Sequence, residues 1–381
     1  SSTISGAGIA NDATFDSGLL AATGGGRSLT IEDLNVADSP NNGIGVILPE
    51  NLGGGVHVRL VDVTVTDAQF HGVHVDGQST TGFNTDDVLQ EGCSDPNPFD
   101  SNANIDVTLK RVTISGAGDL DPSFDLSIET GCPQDFDGLR VDQGGNGSLT
   151  ANIVDSAFHG NLADGAELDE TGNGSVDARV AGSSFTGNGD TVTIEYMEDG
   201  VLKEAIDLDD GFDIDEAGAG SLIAVVRHTD VSGNFDEGLD FDEAGGGNAD
   251  VKVVGVTATG NTDEGVKVDE EDGGSLFFVM RNTTVSGTLD NDAVQLGEIG
   301  GGSVNALISE SAITDNDGDG AKIEESGAGN LDVIVRKVTV TGNSDGFQFV
   351  ESEEGDEPTN GSLTALIRRS TVTGNSSAGV Q

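Results

Sequence analysis

Residues 236–261 read DEGLDFDEAGGGNADVKVVGVTATGN, and residues 262–287, which follow at once, read TDEGVKVDEEDGGSLFFVMRNTTVSG. One pattern is written twice. An acidic pair precedes a glycine, a short alternation of apolar and polar residues follows, and a glycine-rich corner leads into two further alternations. In the second copy Val266 and Val268 flank Lys267, then Leu276, Phe278 and Met280 alternate with Phe277, Val279 and Arg281, and Thr283 and Val285 complete the unit. A period of two puts alternate side chains on opposite faces, which is strand and not helix. No sustained i, i+3, i+4 pattern competes anywhere in the chain.

Working outward from this pair, the opening glycine recurs at Gly138, Gly165, Gly211, Gly238, Gly265, Gly320 and Gly346, with Ala293 standing in once. Most steps are about 27 residues long. The closing strand recurs about twelve times, from Thr3-Ile4-Ser5 to Thr371-Val372-Thr373. A strand of three to six residues cannot bury an apolar face alone. Three of them wound as a coil enclose an interior, and stacked coils pair each strand in parallel with its counterparts above and below. The sequence therefore predicts an all-β parallel β-helix (β-solenoid) of about twelve coils with three short strands per coil. It forms a single domain over residues 1–381, with corner insertions near 79–101, 119–135, 190–206 and 353–360. The last-but-one insertion reads as a hairpin around Asp199-Gly200.

Composition narrows the function. The chain of 381 residues has 68 Asp+Glu against 16 Lys+Arg, a formal charge of −52, which repels nucleic acid and anionic membranes. Hydrophobic residues make up 35% and are spaced periodically, so the acidity marks an ordered surface and not a disordered chain. Apolar runs such as SLFFVM at 275–280 are far shorter than the roughly 20 residues of a membrane-spanning helix, so no membrane insertion is expected. No signal peptide opens the sequence; an exported protein is then present in its mature form. Cys93 and Cys132 are too few to staple a fold of this size. They either form one local disulfide between two corner insertions or remain a free pair.

Stacking turns each position of the repeat into a column with a spacing of about 4.8 Å. Asp236/Glu237, Asp263/Glu264, Asp290/Asp292, Asp317/Asp319 and Asp345 form one acidic column, preceded by an Asn column that includes Asn188, Asn234, Asn261, Asn316, Asn343 and Asn375. A second corner stacks Asp215/Glu216, Asp242/Glu243, Asp269/Glu270, Glu298 and Glu324/Glu325. Like charges at that spacing repel by about 1 kcal/mol in water and by several times more at a shielded corner. Counterions relieve this, and Ca²⁺ accepts the hard oxygens of Asp, Glu and Asn in flexible geometry. The expected inter-coil ligands are Asn234, Asp236 and Glu237 with Asn261, Asp263 and Glu264, and further candidates are Asp242, Glu243, Asp269, Glu270, Asp317 and Asp319. The competing expectation is that the Asn column satisfies itself by amide hydrogen bonds while the acids form a solvated, halophilic surface.

The unit G-V-x-V-D-E…G-S-L-x-x-x-V-x-x-T-x-V-S-G-N-x-D resembles the right-handed parallel β-helix repeat family, the pectate-lyase-like solenoids. It is closest in type to the acidic Gly/Asn-rich forms found in bacterial and archaeal cell-surface proteins. The resemblance spans essentially the whole chain and implies a right-handed coil, but its motif specifies fold more than function. Enzymes of this family cleave polysaccharides. Asn84-Thr85-Asp86-Asp87 with Phe70-His71-Gly72 or Phe158-His159-Gly160 supply fragments of the polygalacturonase set, whereas its R-I-K element is missing. His71 and His74 read as solvent-facing strand residues, and the negative surface opposes an acidic polymer. Outward Thr pairs such as Thr257/Thr259 and Thr339/Thr341 raise a minor, ice-binding alternative, which Ala157 and Asp230 interrupt.

The first residues already match a closing strand and neither end offers a capping helix, which suggests coils stacking head to tail between molecules. The sequence reading is thus an extracellular or cell-surface, non-catalytic structural or adhesive solenoid. Its expected partners are further copies of itself in a head-to-tail homopolymer, or a surface polysaccharide or another cell-surface protein. A polysaccharide-degrading lyase or hydrolase is the alternative.

Overall fold

Every coil begins with a two-sided alternation, and the alternation decides which side chains turn inward. In the coil at 239–259 the inward set is Leu239 and Phe241, then Ala249, Val251 and Val253, then Val256 and Ala258, all of them buried. Each such Val, Leu or Phe side chain removed from water stabilises the fold by about 1.5–3 kcal/mol. The computed structural model describes residues 2–5, 19–22, 27–40, 42–48, 52–77, 101–118, 136–189, 192–198, 201–207, 209–352 and 361–381, with backbone only before Ser28 and at 192–207.

Three sheets run the length of the molecule, containing 11, 11 and 12 strands. The opening sheet stacks first strands such as Leu239–Gly245 and Val266–Asp272, and the middle sheet stacks second strands such as Ala249–Val254 and Leu276–Arg281. The closing sheet stacks the three-residue strands such as Thr257–Thr259 and Thr284–Ser286. All pairings within these sheets are parallel, and the register joins equivalent repeat positions, for example Leu276↔Val304 and Phe278↔Ala306. This is a right-handed parallel β-helix. The predicted closing strands all pair in order, and the two 11-stranded sheets make the number of complete coils one fewer than the twelve expected.

Inside the coil, columns of like residues reinforce the stacking. Phe158, Phe185 and Phe212 stack face to face with ring centroids 4.7 and 5.2 Å apart, and Phe241 meets Phe212 edge-on at 5.6 Å. At the corner before the opening sheet, the Asn188 amide donates to Asn234 Oδ1 at 3.1 Å and Asn234 donates to Asn261 Oδ1 at 3.1 Å. Backbone N–H groups of the same residues donate to the same oxygens. At the corner after it, coils approach so closely that a Cβ on Gly274 would lie 1.6 Å from the Gly247 carbonyl oxygen, so only glycine fits.

Of the predicted insertions, 79–100, 119–135 and 353–360 lie outside the described residues, as do Cys93, Cys132 and the fragment Asn84-Thr85-Asp86-Asp87. Within the fourth, Val192–Glu198 pairs antiparallel with Val201–Asp207.

Candidate active site

The outward positions of the opening sheet carry the chemistry. In each first strand two side chains point out, one between the apolar pair and one after it. The register stacks the first of these as His74, Arg140, Glu167, Asp213, Asp240 and Lys267, and the second as Asp76, Asp142, Asp169, Asp215, Asp242 and Asp269. A third column comes from the residue preceding the opening glycine, namely His71, Asp137, Asp164, Asp210, Glu237 and Glu264. Three columns side by side give a face of acids with very few cations.

Arg140 organises one end. It is 3% exposed, and its guanidinium donates from Nε to Asp142 at 2.8 Å, from Nη1 to Asp137 at 3.3 Å and to Glu167, and from Nη2 to Asp169 at 2.5 Å. Burial disfavours its charge, but the surrounding carboxylates, Glu167 foremost, raise its pKa further still. His74 Nε2 lies 2.6 Å from Asp142 Oδ2, and its pKa is raised because that hydrogen bond and charge outweigh desolvation. Asp142 is held well below the usual carboxylate range by Arg140 and His74, against its own burial. His71 sits beside them, its ring centroid 4.7 Å from that of His74. Its Nδ1 accepts from the Asp137 backbone N–H at 3.1 Å, and burial lowers its pKa well below the ordinary value, so it is neutral with its proton on Nε2. No hydrogen-bond acceptor among the described residues meets that Nε2.

Lys267 organises the other end. Its ammonium lies 2.7 Å from Asp240, 3.3 Å from Glu237 and 4.0 Å from Asp242. These three carboxylates drive its pKa far up despite desolvation. Between Arg140 and Lys267 the described part of these columns holds no basic residue. Asp210, Asp213 and Asp240 bring carboxylate oxygens within 4.8 Å of one another, and Asp210, Asp236 and Glu237 do the same. Burial and then mutual repulsion push Asp210, Asp213 and Glu237 well above the usual carboxylate range, and Asp236 to about 6. Asp236 Oδ1 and Asp240 Oδ1 are buried and lack a donor. A set of close, shielded carboxylate oxygens without donors fits a hard divalent cation.

The sequence-predicted ligands do not converge on one corner. Asn234 and Asn261 belong to the interior amide ladder, where their oxygens already accept hydrogen bonds. Asp236 and Glu237 do reach the outer face beside Asp210. Asp263 Oδ1 and Glu264 Oε1 are buried without donors one coil further on. Asp242 and Asp269 stack outward, while Glu243 and Glu270 turn into the coil interior. Asp319 is tied into the backbone, accepting from Asp345 N at 2.8 Å, and Asp317 is exposed. The expectation that His71 and His74 face solvent is corrected: they are 2% and 7% exposed, because the histidine pair is enclosed with Asp137 and Asp142. The polygalacturonase-like fragment at His159 is separate again, on an exposed closing strand.

The sequence reading missed Arg140, Glu167, Asp210, Asp213, Asp240 and Lys267. The signal was available. Aligning the residue between the two apolar positions of each first strand gives the charged column directly.

No family model and no curated protein matches the chain. Among solved structures it is similar to pectate lyase Pel9A, at 16% identity over 86% of this chain and 70% of that one, with a TM-score of 0.40. It is similar to the periplasmic alginate epimerase AlgG at 10% identity, covering 93% and 75% of the two chains with a TM-score of 0.44. The catalytic unit of the GH87 α-1,3-glucanase from Streptomyces thermodiastaticus strain HF3-3 aligns at 12% identity over 93% of this chain and 64% of that one, with a TM-score of 0.23. These likenesses concern the fold. The proteins named are a pectate lyase, an alginate epimerase and a glucanase, where the sequence reading expected a structural rod. The expectations of a non-catalytic, head-to-tail fibre and of no enzymatic activity are corrected on that basis.

Proposed function

We propose that the chain is an enzyme acting on an acidic polysaccharide at the outer face of the opening sheet, with Ca²⁺ held by Asp210, Asp213 and Asp240. One observation carries the reading: a run of close carboxylates, Asp240 Oδ1 among them with no donor, lies between the buried Arg140 and a partly shielded Lys267. Ca²⁺ takes six to eight hard oxygen ligands. Three protein carboxylates leave positions for water and for a sugar carboxylate, which gives a polyanion a partner on a molecule of charge −52. The bound cation would supply electron withdrawal from the carbon next to that carboxylate.

The chain's own residues do the rest. Lys267 stands over Asp240, Glu237 and Asp242, which hold its proton tightly; a cation bound among these carboxylates would offset their charge and lower its pKa toward the range in which a lysine accepts a proton. Lys267 is therefore the base. Arg140, fixed by four carboxylates, holds Asp142, Glu167 and Asp169 rigidly and keeps that end of the face from collapsing. Proton removal beside a uronate carboxyl opens either elimination of the glycosidic bond or inversion of the carbon. An extracellular or cell-surface setting accompanies this reading, since the polymer is too large to cross a membrane.

The test is a panel of polyuronates and a neutral glucan, with Ca²⁺ or chelator, followed by absorbance of unsaturated products and by NMR of the uronate ring. Turnover of a polyuronate with Ca²⁺ is expected, with loss on chelation and a drop of about 10²-fold or more for Lys267→Gln. Activity that ignores both the chelator and Lys267→Gln, or that is confined to the neutral glucan, contradicts the proposal.

A further inference from the structure

A second column of acids lies inside the coil and takes no part in the outer face. Glu170, Glu216, Glu243, Glu270, Glu298, Glu325 and Glu351 are successive register partners at the corner where the opening sheet ends. The first six are at most 1% exposed. One oxygen of each is accounted for. Oε1 of Glu216, Glu243, Glu270, Glu298 and Glu325 accepts the backbone N–H four residues on, at 3.1, 2.8, 2.6, 2.7 and 2.7 Å, and Glu170 Oε1 accepts from Gly172 and Gly174. The other oxygen, Oε2, is buried and receives no donor in any of the six, and both oxygens of Glu351 are in that position.

Beside each of these carboxyls stands the next one of the column. Glu216 is within hydrogen-bonding reach of Glu170 and Glu243, Glu270 of Glu243, Glu298 of Glu270 and Glu325, and Glu351 of Glu325. The ionisable groups that act most strongly on Glu170, Glu216, Glu270, Glu298 and Glu351 are other members of the column, with no Lys, Arg or His among them. Two bare carboxylates at that distance in a shielded corner repel strongly, whereas a proton between them makes an O–H···O hydrogen bond.

The rung below the column shows which form the pocket suits. Gln143 pairs in register with Glu170 and occupies the same corner. Its Oε1 accepts from the Gly145 N–H at 2.9 Å, as the glutamates do, and its Nε2 donates to the Ala103 carbonyl. A neutral side chain with a donor on its second arm is accommodated there, and a protonated glutamic acid has that same arrangement.

We propose that these glutamates form a proton-sharing ladder, in which neighbouring carboxyls of successive coils are bridged by O–H···O hydrogen bonds at neutral pH. The ladder is independent of what the outer face binds. Burial, before any other cause, pushes Glu216 and Glu270 up to about 8 and Glu298 to about 7. The folded chain then binds more protons than the unfolded one, so the ladder's contribution is fully present below the unfolded carboxylate range and is lost as pH rises through about 7 to 8.

Infrared spectroscopy of protein labelled with ¹³C at glutamate carboxyls, together with thermal melting, tests this. The comparison is with the alternate-rung variant Glu216→Gln/Glu270→Gln/Glu325→Gln, which places Glu243 and Glu298 each between two neutral rungs and puts one beside Glu170 and Glu351. The wild type is expected to show labelled protonated-carboxyl absorption at pH 7 that fades as pH rises. The variant is expected to lose much of that absorption, to melt a few degrees higher at pH 8, and to match the wild type more closely at pH 4.5. Only carboxylate absorption in the wild type at pH 7 overturns the proposal. So does conversion to carboxylate, on adding Ca²⁺ at fixed pH, of the part of the absorption that the variant lacks, which identifies a cation column instead. Should the triple variant fail to fold, the single Glu270→Gln, read by the same two measurements, decides.

Discussion

Arg140 is the residue on which one end of the outer face depends. Its guanidinium is shared by Asp137, Asp142, Glu167 and Asp169, all of them buried. Removing it leaves four acids shielded from water without their cation, so Arg140→Met is expected to destabilise the fold by about 3–5 kcal/mol. Urea denaturation at pH 7 measures this, and a loss under about 1 kcal/mol, the scale of an exposed pair, would show that the acids are solvated or otherwise neutralised. Nothing in the local sequence GLRVDQ announces this role. Arg140 follows Leu139 in an ordinary alternation, and its partners Glu167 and Asp169 lie 27 and 29 residues away, visible only when the coils are laid over one another. His71 and His74 were misread for the same reason: alternation shows that a side chain points out of the coil, and says nothing about what shields it there.

At the scale of the element, the strands were legible and the corners were not. Period-two alternation and a repeat of about 27 residues located the strands, because inward apolar positions and register leave one solution. The corners mix Asn, Asp, Glu and Gly, and sequence alone does not say which of these turn inward. The structure separates them into an interior amide ladder, an outer acidic column and an interior glutamate ladder. Asn234→Ala tests the first. It leaves the Asn188 backbone N–H without its acceptor, leaves the Asn188 amide only the longer bond to the Phe158 carbonyl and takes a donor from Asn261, and is expected to cost about 1–3 kcal/mol. Replacement of a member of the aromatic stack, Phe212→Ala, opens a cavity between Phe185 and Phe241 and is expected to cost about 3–5 kcal/mol. Both are read from denaturant midpoints; near-zero changes would mean that neighbouring coils close the gap.

For the whole molecule the governing quantity is its charge of −52 and how unevenly it is shielded. Folded-state values raised to about 6 at Asp236 and Asp269 and about 9 at Glu264, chiefly by burial, mean that these groups take up protons on folding. Their contribution is greatest below the unfolded carboxylate range and declines as pH rises through about 6 to 9. Asp142 has the opposite sign, lowered by Arg140 and His74, and its contribution is lost only in strong acid. Without divalent cations the melting temperature is therefore expected to fall between pH 5 and pH 9, and Ca²⁺ to restore more of it at the alkaline end. The solenoid and its coil register were readable from sequence because they follow from periodicity. The outer face was not, because its side chains are far apart in the chain and lie side by side only after winding. The central claim, that the acids between Arg140 and Lys267 hold a divalent cation, is tested most directly by calorimetric titration of the metal-free protein with Ca²⁺ at pH 7.5. Saturable binding that is lost in Asp213→Asn, with that variant still melting cooperatively, is the predicted result; no binding heat in the wild type, or undiminished binding in Asp213→Asn, would contradict it.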